Sequence, residues 1–291
     1  MQQLKQGDKK ALARCITIVE NELEGFSEIL TALTFNNTPV IGVTGPPGAG
    51  KSTLINALIT QLTNKGKSIG IIAIDPTSPF NYGSLLGDRL RMAEHFNNDN
   101  VFIRSLATRG SLGGLSAKTI EIVDVMRASN FDYIIVETVG VGQSEVEVVG
   151  LADTTVLVLV PESGDDVQAI KSGIMEIADI FVVNKADRDG ANTFMKNIIQ
   201  LVHSKEASNW NVPVIKAIAT KGEGINELIE AIEKHKAIGV NLKRSYLLTE
   251  KAFRLIQNLR MKGVSKQHLK EQIEKEIKKG DFNLYRFVNS L

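Results

Sequence analysis

Apolar runs rich in Val, Ile and Leu recur at positions 40–43, 68–74, 101–104, 133–136, 155–160, 180–183 and 213–218, and stretches with helical spacing separate them. The runs are nearly continuous rather than alternating, which fits strands covered on both faces and predicts an α/β fold with a mostly parallel central sheet and helices on both sides. Ligands of such sheets bind beyond the carboxyl ends of the strands, so the residues just after each run are the ones to read for chemistry. Upstream, Leu12, Ile16, Val19 and Leu23 recur at three- and four-residue steps and predict a helical N-terminal extension through 10–30. Downstream of about His235, Leu255, Leu259, Val264, Leu269, Ile273 and Ile277 predict two amphipathic helices broken near Gly263. An amphipathic face must be buried somewhere, so this tail is either a subunit-contact arm or an extension packed on its own chain. The expected division is a helical extension over 1–36, the α/β domain over 37–238 and a helical C-terminal extension over 239–291.

The stretch Gly45, Pro46, Pro47, Gly48, Ala49, Gly50, Lys51, Ser52 falls between the first apolar run and a helical segment opening at Thr53 and Leu54. Its glycines let backbone N–H groups converge on phosphate oxygens, and the following helix presents its positive end. Lys51 can reach the β- and γ-phosphates and the Ser52 hydroxyl can ligate Mg²⁺. These residues predict a P-loop NTPase fold and binding of a nucleoside triphosphate.

Asn184, Lys185, Ala186 and Asp187 end another buried run. A carboxylate at Asp187 can accept from guanine N1–H and the 2-amino group together, donors that adenine does not present there, so this set favours GTP over ATP. The Lys185 stem can lie along the base and the Asn184 side chain can tie this loop to the phosphate loop. After the last run, the backbone N–H of Ala219 can meet guanine O6, and nearby glycines permit close approach.

Glu137 closes the run at 133–136, three positions before Gly140. An acid there can hold Mg²⁺ directly or through water, and the Gly140 N–H can sense the γ-phosphate. The usual acid at this place is Asp, so Glu137 is a departure. Gln143 can orient an attacking water or simply belong to a helix cap beginning at Ser144. Asp75 follows a strand and precedes a Pro/Ser-rich loop, where a metal-sensing switch would sit. Asp88 is either a second metal-shell group or a first-turn acid that favours its helix dipole. The Gly-rich stretch around Arg109 and the acidic stretch 161–171 have the composition of switch loops, and equally of plain connections.

Composition narrows the remaining choices. With 291 residues the chain can bury one large α/β domain plus extensions. A net charge of +1 gives no reason to expect a nucleic acid or an anionic membrane as partner. The start has no apolar core for a signal peptide and no apolar run is long enough to span a bilayer, so a soluble, cytoplasmic protein is expected. Cys15 is the single cysteine, and with 4 scattered histidines it offers no ligand set for a nickel-insertion metallochaperone.

Taken in order, Ala11 to Thr17, Asp75, Asp88, the stretch 109–114, Glu137 to Gln143, 164–166 and Asn184 to Asp187 resemble the successive motifs of the MeaB/ArgK family, the GTPase chaperones of adenosylcobalamin-dependent acyl-CoA mutases such as methylmalonyl-CoA mutase. The resemblance covers about 11–235. It implies Lys51 and Ser52 as phosphate and Mg²⁺ contacts, Asp75, Asp88 and Glu137 as the acidic groups around the metal, and 161–171 as a further switch that signals to the mutase. It also implies a homodimer through C-terminal helices, although this arm is short. Ile218 stands where the family often has Ser, which leaves the Ala219 contact to backbone alone. The rival reading is an ATP-using kinase or ATPase linked to basic amino-acid transport.

Overall fold

The computed structural model describes residues 2–75, 92–107, 118–138, 151–163, 178–203, 210–238, 248–249, 252–253, 255–257, 259–261 and 263–290. The chain divides into two compact units, Met1–Arg244 and Ser245–Leu291.

In the first unit, seven strands form one sheet: β1 (Val40–Thr44), β2 (Ile69–Asp75), β3 (Val101–Ala107), β4 (Tyr133–Glu137), β5 (Thr154–Leu159), β6 (Ile180–Val183) and β7 (Val214–Lys216), in the order β3-β2-β4-β1-β5-β6-β7. Every pairing is parallel. β1 therefore lies at the centre, between β4 and β5, and every residue of β1, β4, β5 and β6 is buried. Strands with two covered faces need apolar side chains at every position, which is why their sequence shows no alternation.

Among the described residues before the C-terminal unit, the helices are α1 (Gln2–Lys5), α2 (Lys9–Glu20), α3 (Phe26–Thr31), α4 (Lys51–Asn64), α5 (Thr119–Arg127), α6 (Ala191–His203) and α7 (Ile225–Ala237). On one face of the sheet, Ile55 and Ile59 of α4 and Leu228 and Ile232 of α7 pack on Ile41, Val43, Ile71 and Ile135. On the other, Leu12 and Ile16 of α2 and Ile122 and Met126 of α5 pack on Val40, Ile72 and Ile134. Phe194 and Ile198 of α6 cover Leu157 and Phe181 on that same opposite side. Each fully buried side chain of this kind contributes about 1.5–3 kcal/mol, so both layers are integral to the fold.

The N-terminal extension differs from the expectation of helix through 10–30. Asp8 caps α2 by accepting from the Ala11 N–H at 2.6 Å, and α2 stops at Glu20. Glu22 then adopts φ 49, a left-handed backbone that ends any helix, and Leu23, which fits the helical spacing, is 48% exposed. Periodicity joined what the chain builds as two helices, α2 and α3, because Leu23 matches by spacing alone.

In the second unit, Gly263 at φ 101 breaks the helical pattern as anticipated, Ser265 caps α8 (Lys266–Lys278), and Asn283 caps α9 (Leu284–Asn289) by accepting from two backbone N–H groups. Among the described residues of this unit none is buried. No helix among the described residues is long and apolar enough to cross a membrane.

Candidate functional site

The loop 45–50 joins the carboxyl end of the central strand β1 to α4 and is drawn tightly against its neighbours. Gly45 has φ 143, and a Cβ there would lie 2.1 Å from the Val158 carbonyl oxygen on β5. Gly50 has φ 85, and its Cβ would meet Asn184 Nδ2 at 2.5 Å. Only glycine satisfies both the backbone and the space at these two positions. Lys51, the first residue of α4, is 7% exposed and turns its ammonium back over the loop, donating to Gly45 O at 2.8 Å and to Pro46 O at 3.2 Å. The arrangement curls the loop around a buried cation, leaving the amide groups of a helix N-terminus beside it, a combination suited to anionic oxygens.

Ser52 donates from Oγ to Glu137 Oε1 at 2.7 Å, and the two residues are 4% and 3% exposed. Register explains the meeting: Glu137 is the last residue of β4 and pairs with Val43 of β1, so its side chain rises beside the start of α4. Thr138, the next residue, donates to Thr44 Oγ1 at 3.1 Å and locks the two strand ends together. A buried serine hydroxyl and carboxylate form a pair of hard oxygen donors, the chemistry that suits Mg²⁺, which takes few protein ligands and keeps waters and phosphate oxygens. Asp75 closes β2. Asp88, Gly140, Gln143 and the stretch around Arg109 lie outside the described residues, as does most of 161–171.

On the other flank, Asn184 follows β6 and is 2% exposed. Its Nδ2 donates to Ala49 O at 2.9 Å and its Oδ1 accepts from the Ala219 N–H at 3.2 Å, so one amide joins three loops. Lys185 adopts φ 55 and donates from Nζ to Gly48 O at 2.8 Å. With Glu22, these are the two non-glycine residues of positive φ among the described residues, and such strain concentrates where surrounding contacts over-determine the backbone. Asp187 is exposed, and no described side chain hydrogen-bonds to it. Ala219 opens a short 3-10 helix after β7 with its residue 7% exposed. Pro47, Gly48 and Thr53 complete the phosphate-side set, Pro47 and Gly48 exposed and Thr53 half-buried.

The structure thus brings Gly45 to Thr53, Glu137, Asn184, Lys185 and Ala219 to one corner of the sheet. It adds one group that the sequence reading passed over: Arg188 forms an ion pair with Glu162, just after β5. The Arg188 guanidinium holds the Glu162 carboxyl below the usual carboxylate range. Its position directly after Asp187 was the available signal.

The family model of the methylmalonyl-CoA mutase-associated GTPase MeaB matches residues 12–276. A GTPase-named protein of Pyrococcus abyssi is 47% identical over 288 residues, covering 97% of this chain and 88% of that protein. The GTPase ArgK of Escherichia coli is 37% identical over 244 residues, covering 80% of this chain and 73% of its own length. A solved structure described as a LAO/AO transport system kinase superposes with a TM-score of 0.70 at 26% identity, over 99% of this chain and 94% of that one.

Proposed function

Because this chain belongs to the MeaB family of methylmalonyl-CoA mutase-associated GTPases, we propose that it hydrolyses GTP with Mg²⁺ to gate the delivery or protection of cobalamin in an adenosylcobalamin-dependent acyl-CoA mutase. The observation that carries the nucleotide part of this reading is the Asn184 amide, whose two bonds to Ala49 and Ala219 hold the phosphate loop and both base-side loops in one rigid frame. In that frame the Asp187 carboxylate takes guanine N1–H and the 2-amino group, and the Ala219 N–H turns to guanine O6.

On the phosphate side, the Lys51 ammonium exchanges the carbonyls of Gly45 and Pro46 for phosphate oxygens, and the amides of 48–53 converge on them. Charge growing on the phosphates is met by donors already in place, which is the main source of catalysis in phosphoryl transfer. Ser52 and Glu137 would hold Mg²⁺, with Asp75 and Asp88 as further acids of its surroundings, and a metal held there would supply charge neutralisation for the phosphates. Gly140 senses the γ-phosphate and Gln143 orients the water. Arg109, the candidate for an arginine acting on the reacting phosphate, lies outside the described residues; in this reading the partner mutase raises a slow intrinsic turnover, and an arginine contribution is worth about 10³–10⁵ in rate.

The second unit supports the partner part. Leu259 and Tyr285 are 69% and 80% exposed, and Phe253, Ile256 and Val288 are exposed beside them in sequence. Their own unit leaves these apolar side chains uncovered, and a homodimer through these helices, in the cytoplasm, completes the reading. The kinase description of the similar solved structure keeps one rival in view, an ATP-using enzyme of basic amino-acid transport. Affinities for GTP and ATP measured side by side decide between them: GTP binding tighter by at least about 10²-fold is expected, and comparable affinities overturn the choice. Loading of adenosylcobalamin into an apo-mutase, followed by visible absorbance, should require hydrolysable GTP; equal loading with a nonhydrolysable analogue removes the gating role.

A further inference from the structure

At the carboxyl edge of the sheet, β1 and β4 carry two polar pairs back to back. Val43 and Glu137 share one register position. Val43 belongs to the layer that holds α4, and Glu137 meets Ser52 on that face. Side chains of a strand alternate between faces, which sends Thr44 and Thr138, one step further along, toward the layer that holds α2 and α5. That layer is otherwise apolar where these strands enter it, through Val40, Ile134 and Val136. Yet Thr138 donates from its hydroxyl to Thr44 Oγ1 at 3.1 Å, with the two residues 2% and 0% exposed. The Thr138 N–H also donates to Val43 O at 3.1 Å and carries the ladder one residue past the end of β4.

A valine at each position would fill the same volume, and replacing both partners of a buried hydrogen bond by apolar groups of the same shape is nearly neutral for stability. What the hydroxyls add is position: their bond fixes the residue after Glu137 relative to the residue before Gly45. The β1 side of that bond has little room to yield. Thr44 pairs with Leu157 of β5, and Gly45 lies so close to β5 that a Cβ would stand 2.1 Å from the Val158 carbonyl oxygen. Glu137 is thereby held at its root by the threonine pair and at its tip by Ser52. A binding constellation works only while it is kept within about 0.5 Å of its productive geometry, and Mg²⁺ is the more demanding for its near-ideal octahedral preference.

We propose that Thr44 and Thr138 are positioning residues for the metal-binding pair: their buried hydroxyl bond, on the face away from α4, keeps Glu137 against Ser52 and so sets the affinity for Mg²⁺ without touching metal or nucleotide. This rests on the Mg²⁺-dependent GTPase reading above. The test uses the full chain with Thr138→Val, with Thr138→Ser, and with Thr44→Val and Thr138→Val together. Fluorescent GDP affinity is measured across a Mg²⁺ titration and again with the metal chelated, beside thermal unfolding and GTP hydrolysis. Both valine variants are expected to raise the half-saturating Mg²⁺ about tenfold, while GDP affinity without metal stays within about twofold. The double variant leaves neither hydroxyl without a partner, so its Tm should stay close to that of the parent. Thr138→Ser keeps the hydroxyl and should need Mg²⁺ within about twofold of the parent level. An unchanged Mg²⁺ requirement in both valine variants overturns the proposal. So does an equal rise in Thr138→Ser, which would assign the effect to packing of the methyl group. A rise in the double variant matched by equal losses of metal-free GDP affinity and Tm overturns it as well, since that is the behaviour of a purely structural contact. A parent protein whose GDP binding responds to Mg²⁺ but which hydrolyses no GTP overturns the GTPase reading instead, and the metal titration still decides on the threonine pair.

Discussion

The two walls of the candidate site are built on opposite plans. On the phosphate wall, the polar groups are buried and bonded to one another: Lys51 to its own loop carbonyls, Ser52 to Glu137. A ligand must take those partners over, so the wall is charged with groups whose interactions change when phosphate arrives. On the base wall, the buried group, Asn184, is fully committed to protein loops, while Asp187 stands exposed. There the bracing and the recognition are divided between two residues. The difference implies that substitutions on the first wall act on the rate, and those on the second act on which nucleotide is held.

The largest effect should come from Lys51→Ala. Removing one preorganised donor from developing charge commonly costs about 10²–10³ in kcat, and Lys51 supplies a full cation, so single-turnover GTP hydrolysis should drop by at least that factor. Far-UV circular dichroism should be unchanged, because the packing of α4 on the sheet rests on Ile55, Leu58, Ile59 and Leu62. Turnover within tenfold of the parent would show that the phosphate wall is elsewhere.

How far these walls could be read beforehand depends on how local their causes are. β1, β4, β5 and β6 were legible because burial on both faces leaves an unbroken apolar run, and the phosphate loop because glycine, lysine and serine at fixed spacing have few other uses. The Asn184 tie was legible as a possibility; its second bond, to Ala219, needed the fold, since the two residues meet only through the adjacency of β6 and β7. Glu137 reaching Ser52 follows from the register of β4 on β1, which no spacing in the chain reveals. Leu23 misled because a half-matching periodicity looks the same whether or not the backbone has already turned.

Asp187→Asn tests the base wall with an intermediate effect. A hydrogen bond to a charged acceptor contributes about 1.5–3 kcal/mol, so GTP affinity should weaken roughly 10- to 100-fold, and xanthosine triphosphate should bind better than GTP because the carboxamide donates where guanine also donates. Hydrolysis of the xanthosine nucleotide at saturation should stay close to the parent rate with GTP, which is the signature of a wall that selects without reacting. Unchanged GTP affinity would refute the assigned contact, and a collapse of kcat with xanthosine triphosphate at saturation would erase the distinction between the walls.

The smallest effect belongs to the outermost brace of the base wall. Arg188 and Glu162 are 51% and 48% exposed, and an ion pair this open is worth at most about 1 kcal/mol and weakens with salt. Arg188→Ala should therefore lower urea stability only slightly and leave GTP affinity within about threefold, in contrast to Asp187→Asn next to it. The pH dependence has a definite sign. Arg188 holds the Glu162 carboxyl below the usual carboxylate range, so the folded state binds the proton less readily than the unfolded chain. The stabilisation is complete above the unfolded value and is lost as pH falls through the lower, folded one. The difference in stability between parent and Arg188→Ala should accordingly be present at neutral pH and vanish in acid. A difference that survives both acid and molar salt would mean that Arg188 acts through packing of its stem, and would move it from the rim of the base wall into its frame.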